Sequence, residues 1–131
     1  MQNINQYFAY VRRKIGEFEI IDAENINFEN FKDDIGRIHG KIFFCDNSIL
    51  EFMEMLIIDK DVERPKYRFN WHDRNGELII RWDNARHHPK LDNYPHHKHI
   101  GTEDNVKSSK SIGIVDVLRN INKEIDISPQ S

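Results

Sequence analysis

Hydrophobic positions along the chain change their period twice. Over residues 1–16, Ile4, Phe8, Val11 and Ile15 recur every three or four positions, the spacing of one face of an α-helix. Arg12, Arg13 and Lys14 then fall in the last turn, where the helix dipole favours cations, and Gly16 is a plausible stop. Residues 17–21 read as a short strand. Residues 22–34 are polar, with Phe28 and Phe31 as anchors, and remain ambiguous. From Arg37 the period becomes two: Ile38, Gly40, Ile42 and Phe44 share one face, and Arg37, His39 and Lys41 the other. Asp46-Asn47 is turn chemistry, and residues 49–58 return as a second strand. Leu50, Phe52 and Leu56 share its apolar face with Glu54, which is read as a strand-end residue or the partner of a buried cation, Arg81 being one candidate.

After a loop over residues 59–65, Tyr67, Phe69 and Trp71 alternate with Arg68, Asn70 and His72. Asn75-Gly76 is a hairpin signal, and Leu78, Ile80 and Trp82 come back alternating with Ile79, Arg81 and Asp83. Residues 37–83 are thus two successive hairpins, an antiparallel meander. Its apolar face needs cover. The N-terminal helix can supply it, and so can a second helix over 111–126, with Ile114, Val115, Leu118, Ile121 and Ile125 at helical spacing. The expected fold class is α+β: an antiparallel sheet packed on one face by N- and C-terminal helices. Residues 128–131 read as a frayed tail.

The 131 residues amount to one domain, with eight Phe and two Trp for a core. The net charge of −3 argues against a general nucleic-acid coat and leaves room for a local basic patch. The single cysteine, Cys45, excludes an internal disulfide and a zinc ribbon, and its apolar setting suggests an inert buried thiol. The N-terminus lacks a signal-peptide pattern, and no apolar run approaches the roughly 18 residues of a membrane span. A cytoplasmic location is expected, with no membrane partner.

Between the last strand and the last helix, residues 84–110 show no periodicity and read as one long loop. Segments of this kind are usually functional or disordered. Here the composition favours function: five of the seven histidines, His87, His88, His96, His97 and His99, fall within it, flanked by Pro89 and Pro95. Arg86 and Lys98 add cations that stay charged. Arg81 and Asp83 lie on the strand face opposite Trp82. Cleavage of an RNA phosphodiester needs a general base, a general acid and cations that stabilise charge developing on phosphate. Histidines suit the first two roles and Arg or Lys the third. The candidate catalytic residues are His88, His97, His99, Arg81, Asp83 and Lys98, with Asp83 orienting an imidazole. Candidate RNA-binding residues are Arg86, His87, His96, Tyr94 and Asn84. This scheme uses no cofactor and no metal.

The bland reading of each feature stands beside it. The histidines can be hydrogen-bonded structural residues, and Trp71 and Trp82 are core residues before they are stacking platforms. His39 and His72 read as sheet-surface residues, with His72 placed across the hairpin from Arg81 or its neighbours. A divalent metal is a further alternative, since His97 and His99 point the same way on an extended segment.

The runs GKIFFCDNSILEFMEMLIID and YRFNWHDRNGELIIRWDNARHHPKLDNYPHHKHIG, followed by a short acidic link and a final helix, resemble the TumE-like family of toxin components of toxin–antitoxin modules. The resemblance covers most of the chain and is densest over residues 67–101. It implies a small growth-inhibiting toxin of a bacterium or archaeon, a cognate antitoxin of helix-turn-helix type, and ribonuclease activity of the kind common among such toxins. Homo-oligomerisation is left open. The motif residues it carries over are Arg81, Asp83, Asn84, His87, His88, Pro95, His96, His97, Lys98 and His99. One position departs: Asn70 stands where a strand histidine is expected, with His72 two residues on. The rival readings are a non-enzymatic protein that binds through the His-rich segment, and a metal-dependent hydrolase or nucleotidyltransferase.

Overall fold

The computed structural model describes residues 3–125. It opens with helix α1 (Ile4–Ile15), whose N-terminus is closed reciprocally. The Asn3 side chain accepts from the Gln6 amide at 2.9 Å, and the Gln6 side chain accepts from the Asn3 amide at 3.3 Å. Each satisfies an N–H that the helix leaves unpaired. Gly16 ends it, as the spacing predicts, its N–H donating to the Arg12 carbonyl at 3.3 Å.

Eight strands follow: β1 (Ile21–Lys32), β2 (Ile35–Phe44), β3 (Ile49–Ile58), β4 (Val62–Glu63), β5 (Tyr67–His72), β6 (Leu78–Asp83), β7 (His97–Ile100) and β8 (Val106–Ser108). Helix α2 (Ile114–Glu124) closes the described chain. The sheet order is β1-β2-β3-β5-β6-β7-β8, with β4 paired to β3, and every pairing is antiparallel. The α+β meander expected from the pattern is the fold. Both helices pack on one face, over a core that includes Ile38, Leu50, Phe69, Trp71 and Trp82. No helix among the described residues is long and apolar enough to cross a membrane.

Several expectations need correction. Residues 17–20 form turns, and the strand begins at Ile21. The ambiguous stretch 22–34 belongs mostly to β1, a twelve-residue edge strand. Its polar residues mask the alternation, because an edge strand exposes much of its surface; Phe28 is held by the Phe8 ring at 5.2 Å and the Arg12 guanidinium at 4.1 Å. The segment 84–110 is not one long loop. It contributes β7 and β8, which extend the sheet beyond β6. Cys45 is exposed, in the turn after β2. Helix α2 starts at Ile114, three residues later than the pattern places it. Asp126 and the tail 128–131 lie outside the described residues.

Glu54 is not a strand-end residue; it pairs with a largely buried cation, as the second reading had it, but that cation is Arg64 and not Arg81. Glu54 sits wholly buried under both helices. It accepts from Tyr7 Oη at 2.8 Å, Arg64 Nε at 3.1 Å and the Ile114 amide at 3.0 Å. A carboxylate buried on an apolar face persists only if fully paired, and these three donors come from α1, the β4–β5 connection and the first turn of α2.

Candidate functional site

Strand alternation builds the site on the face that the helices leave open. Antiparallel pairing aligns Asn70 with Arg81 and Arg81 with His99, and in the next row Arg68 with Asp83 and Asp83 with His97. Directly opposed residues point to the same face, so Arg81, Asp83, His97 and His99 converge. Trp82, between Arg81 and Asp83, turns inward and is buried. Its burial fixes which side of β6 faces the solvent.

The Asp83 carboxylate organises the centre. Oδ1 accepts from the Ala85 amide at 3.0 Å, which folds the chain sharply out of β6. The same oxygen lies 2.9 Å from His97 Nε2. Oδ2 lies 3.2 Å from Arg81 Nε and 3.7 Å from His99 Nε2. The far side of each imidazole is tied to the backbone. His97 Nδ1 is 2.8 Å from the Pro95 carbonyl oxygen and His99 Nδ1 is 2.8 Å from that of Glu103. A carbonyl only accepts, so both Nδ1 atoms carry protons and both Nε2 atoms face the carboxylate. The loop over residues 84–96 then brings His88 over the strand, its ring 5.0 Å from His97 and 5.9 Å from His99. Loss of hydration, and then the neighbouring rings of His97, His99 and His87, push His88 below the ordinary histidine value.

Around these groups opens a cleft of about 720 Å³, walled by Pro65, Lys66, Arg68, Arg86 and His87 and floored by Arg81, Asp83 and the histidines. Arg81 is not free. Beyond Asp83 its guanidinium forms a two-pronged ion pair with Glu103, an exposed residue between β7 and β8. The Glu103 partner above all, then Asp83, raises the Arg81 pKa further.

The remaining expected site residues divide. Arg86, His87 and Asn84 line the cleft. Lys98 does not join His97 and His99: it is in register with Trp82 and so faces the opposite side of the sheet. The period of two that brings the histidines together separates the lysine from them. His96 stacks on Tyr67 at 5.8 Å, and its Nδ1 is 2.9 Å from Tyr67 Oη. Asn84 accepts from the Tyr67 amide at 3.0 Å and donates to the Pro65 carbonyl at 3.1 Å, so its amide pins the start of β5. Tyr94 is exposed and does not line the cleft. Asn70 is directly opposite Arg81, whereas His72 pairs with Leu78 nearer the turn; Asn70, and not His72, holds the position beside Arg81. His39 is on the sheet surface, its Nε2 2.6 Å from Glu29. Arg68 and Glu103 were not singled out by sequence. For Arg68 the signal was available, since its phase on the strand is that of Asn70; for Glu103, in an irregular acidic link, it was not.

A family model described as toxin TumE matches residues 10–128. The chain belongs to the TumE toxin family. The matched span of this toxin includes every residue of the cleft. No curated protein and no solved structure matches the chain. Membership makes the protein a toxin component, with a cognate antitoxin as the expected partner.

Proposed function

We propose that this toxin inhibits growth by cleaving RNA in the open cleft. The observation that carries this reading is the convergence of Asp83, His88, His97, His99 and Arg81 on the floor of one open groove with cationic walls. Arg81, Arg68 and Arg86 bind phosphate oxygens, Arg81 after release from Glu103. Asp83 fixes the His97 ring. His99, with Nδ1–H committed to the Glu103 carbonyl, presents Nε2 to the reacting hydroxyl, and His88 is its complement across the cleft. Asn84 and His96 support the walls, and Asn84 also lines the groove where a bound strand would pass. The Nε2 atoms can accept the proton of a 2′-hydroxyl directly, or they can hold an ion that activates the nucleophile.

Purified protein incubated with total RNA, with and without EDTA, tests the proposal. Cleavage by the wild type and its loss, by about 100-fold or more, in Asp83→Asn and His99→Ala are expected. Intact RNA under every condition, including added divalent ions, would overturn it. A binding-only toxin is the rival, and growth inhibition by His97→Ala equal to wild type would favour it. The antitoxin, on this reading a helix-turn-helix protein, acts by covering the cleft.

A further inference from the structure

We propose that His88, His97 and His99 form a binding site for one divalent transition-metal ion of the zinc type. The ligand nitrogens of all three lie within 4.8 Å of one another. Around a tetrahedral ion with Zn–N bonds of about 2.0–2.1 Å, ligand nitrogens sit about 3.4 Å apart. The three ligand atoms therefore need to close by up to about 1.4 Å. His88 supplies that movement from an irregular loop, while His97 and His99 are held on β7.

The second observation is the orientation of the two strand histidines. A metal-ligating histidine almost always donates its other ring N–H to a carbonyl or carboxylate, which fixes the tautomer and the ring plane. His97 does so to Pro95 and His99 to Glu103, each at 2.8 Å. With Nδ1 engaged, Nε2 of each ring is left as the ligand atom, and both Nε2 atoms lie on the Asp83 side of the cluster. The i, i+2 spacing on a strand puts the two rings on one face, with centroids 5.0 Å apart.

The third observation is charge. Three neutral imidazoles leave an ion's charge unmatched, and Asp83 already touches the Nε2 atoms of His97 and His99. The Asp83 carboxylate, beside both of those atoms, is the ion's charge partner. The side facing the cleft stays open for water or a phosphate oxygen. Three protein nitrogens with one open position is the arrangement of catalytic, not structural, zinc. Binding stands on the cluster alone. That the ion serves cleavage rests on the nuclease reading, and it selects the ion-assisted route over the metal-free one.

The test is titration of the full chain, stripped with EDTA and returned to chelator-free buffer, with Zn²⁺ by calorimetry and with Co²⁺ by visible absorption. One ion per chain is expected, with the intense absorption of a low-coordinate Co²⁺ site. The double variant His97→Ala/His99→Ala should lose affinity by about 100-fold or more, His88→Ala should weaken it, and the surface variants His39→Ala and His72→Ala should retain it. Circular dichroism establishes that each variant is folded. Binding that survives the double variant, or fails in the wild type, overturns the site. Stoichiometric binding without RNA cleavage leaves the site standing and overturns the nuclease reading. Cleavage at full rate in EDTA overturns the ion's part in catalysis.

Discussion

Substituting Glu54 by Gln tests how the open face is held in shape. The side chain has no solvent exposure and three donors around it: Tyr7 Oη, Arg64 Nε and the Ile114 amide. Burial pushes its carboxyl up, and Arg64, Tyr7 and the Ile114 amide pull it back. Glutamine keeps the volume but turns an NH₂ toward a donor, leaving at least one buried N–H unpaired and the Arg64 charge without its partner. Breaking a buried ion pair on one side costs about 3–5 kcal/mol. Arg64 keeps 19% of its side chain exposed, so the lower figure, about 3 kcal/mol, applies. With an unfolding entropy of about 0.3 kcal/mol per kelvin for a chain of this length, Tm falls by about 10 °C. Thermal and urea unfolding followed by circular dichroism measure it. Replacing both partners, Glu54→Met with Arg64→Met, should recover most of the loss, because neither charge is then stranded. The pocket tolerates little else: a Cβ on Gly113 would lie 2.4 Å from Arg64 Nη2. A Glu54→Gln protein melting within about 2 °C of the wild type would refute the reasoning, and with it the claim that this carboxylate ties both helices to the sheet.

Glu103 occupies the guanidinium that the nuclease reading assigns to phosphate, so Glu103→Gln should tighten binding of a short single-stranded RNA. An exposed pair is worth at most about 1 kcal/mol, which caps the gain at about fivefold; fluorescence anisotropy in a His99→Ala background measures it, and unchanged affinity would show that Arg81 does not meet the RNA. Arg37, and then His39, holds Glu29 below the usual carboxylate range. A carboxylate with a lowered folded pKa stabilises above its unfolded value and loses that contribution as pH falls through the folded one. The stability difference between wild type and Glu29→Gln should therefore be open at pH 6 and close below about pH 4; a gap in urea midpoints that persists in acid would show that the charge is not its source.

The two central hairpins were legible because each strand has one buried face, so the period of two survives in the apolar residues: Tyr67, Phe69 and Trp71, for instance, all turn toward the helices. The strand β7 was not, and the reason is physical. Its alternation is His-Lys-His-Ile, with a single apolar residue in four, so hydrophobicity carries no phase. The partner that makes it a strand is the free edge of β6, whose last residue, Asp83, lies fourteen residues back along the chain from His97. The same blindness put Lys98 with the histidines: adjacency in sequence is opposition across a sheet. The Asp83 cluster was legible in membership, since its histidines crowd one segment. Its geometry depended on two backbone carbonyls, Pro95 and Glu103, which composition does not register.

The two faces of the sheet are therefore not independent designs. A shift of β6 by one residue would carry Arg81 and Asp83 into the core and Trp82 into the cleft, because side chains alternate with a period of two. Trp82 is 3% exposed, and it packs in the same cluster as Phe69 and Trp71, so that shift would expel an aromatic side chain worth roughly 3 kcal/mol of burial and strand two charges in the process. The burial of Trp82 thus selects the register in which Arg81 meets His99 and Asp83 meets His97. Lys98, opposite Trp82, is turned away from the cleft for the same reason. The make-up of the open face is set by the packing of the closed one, and Trp82, which does not line the cleft, decides which side chains the cleft receives.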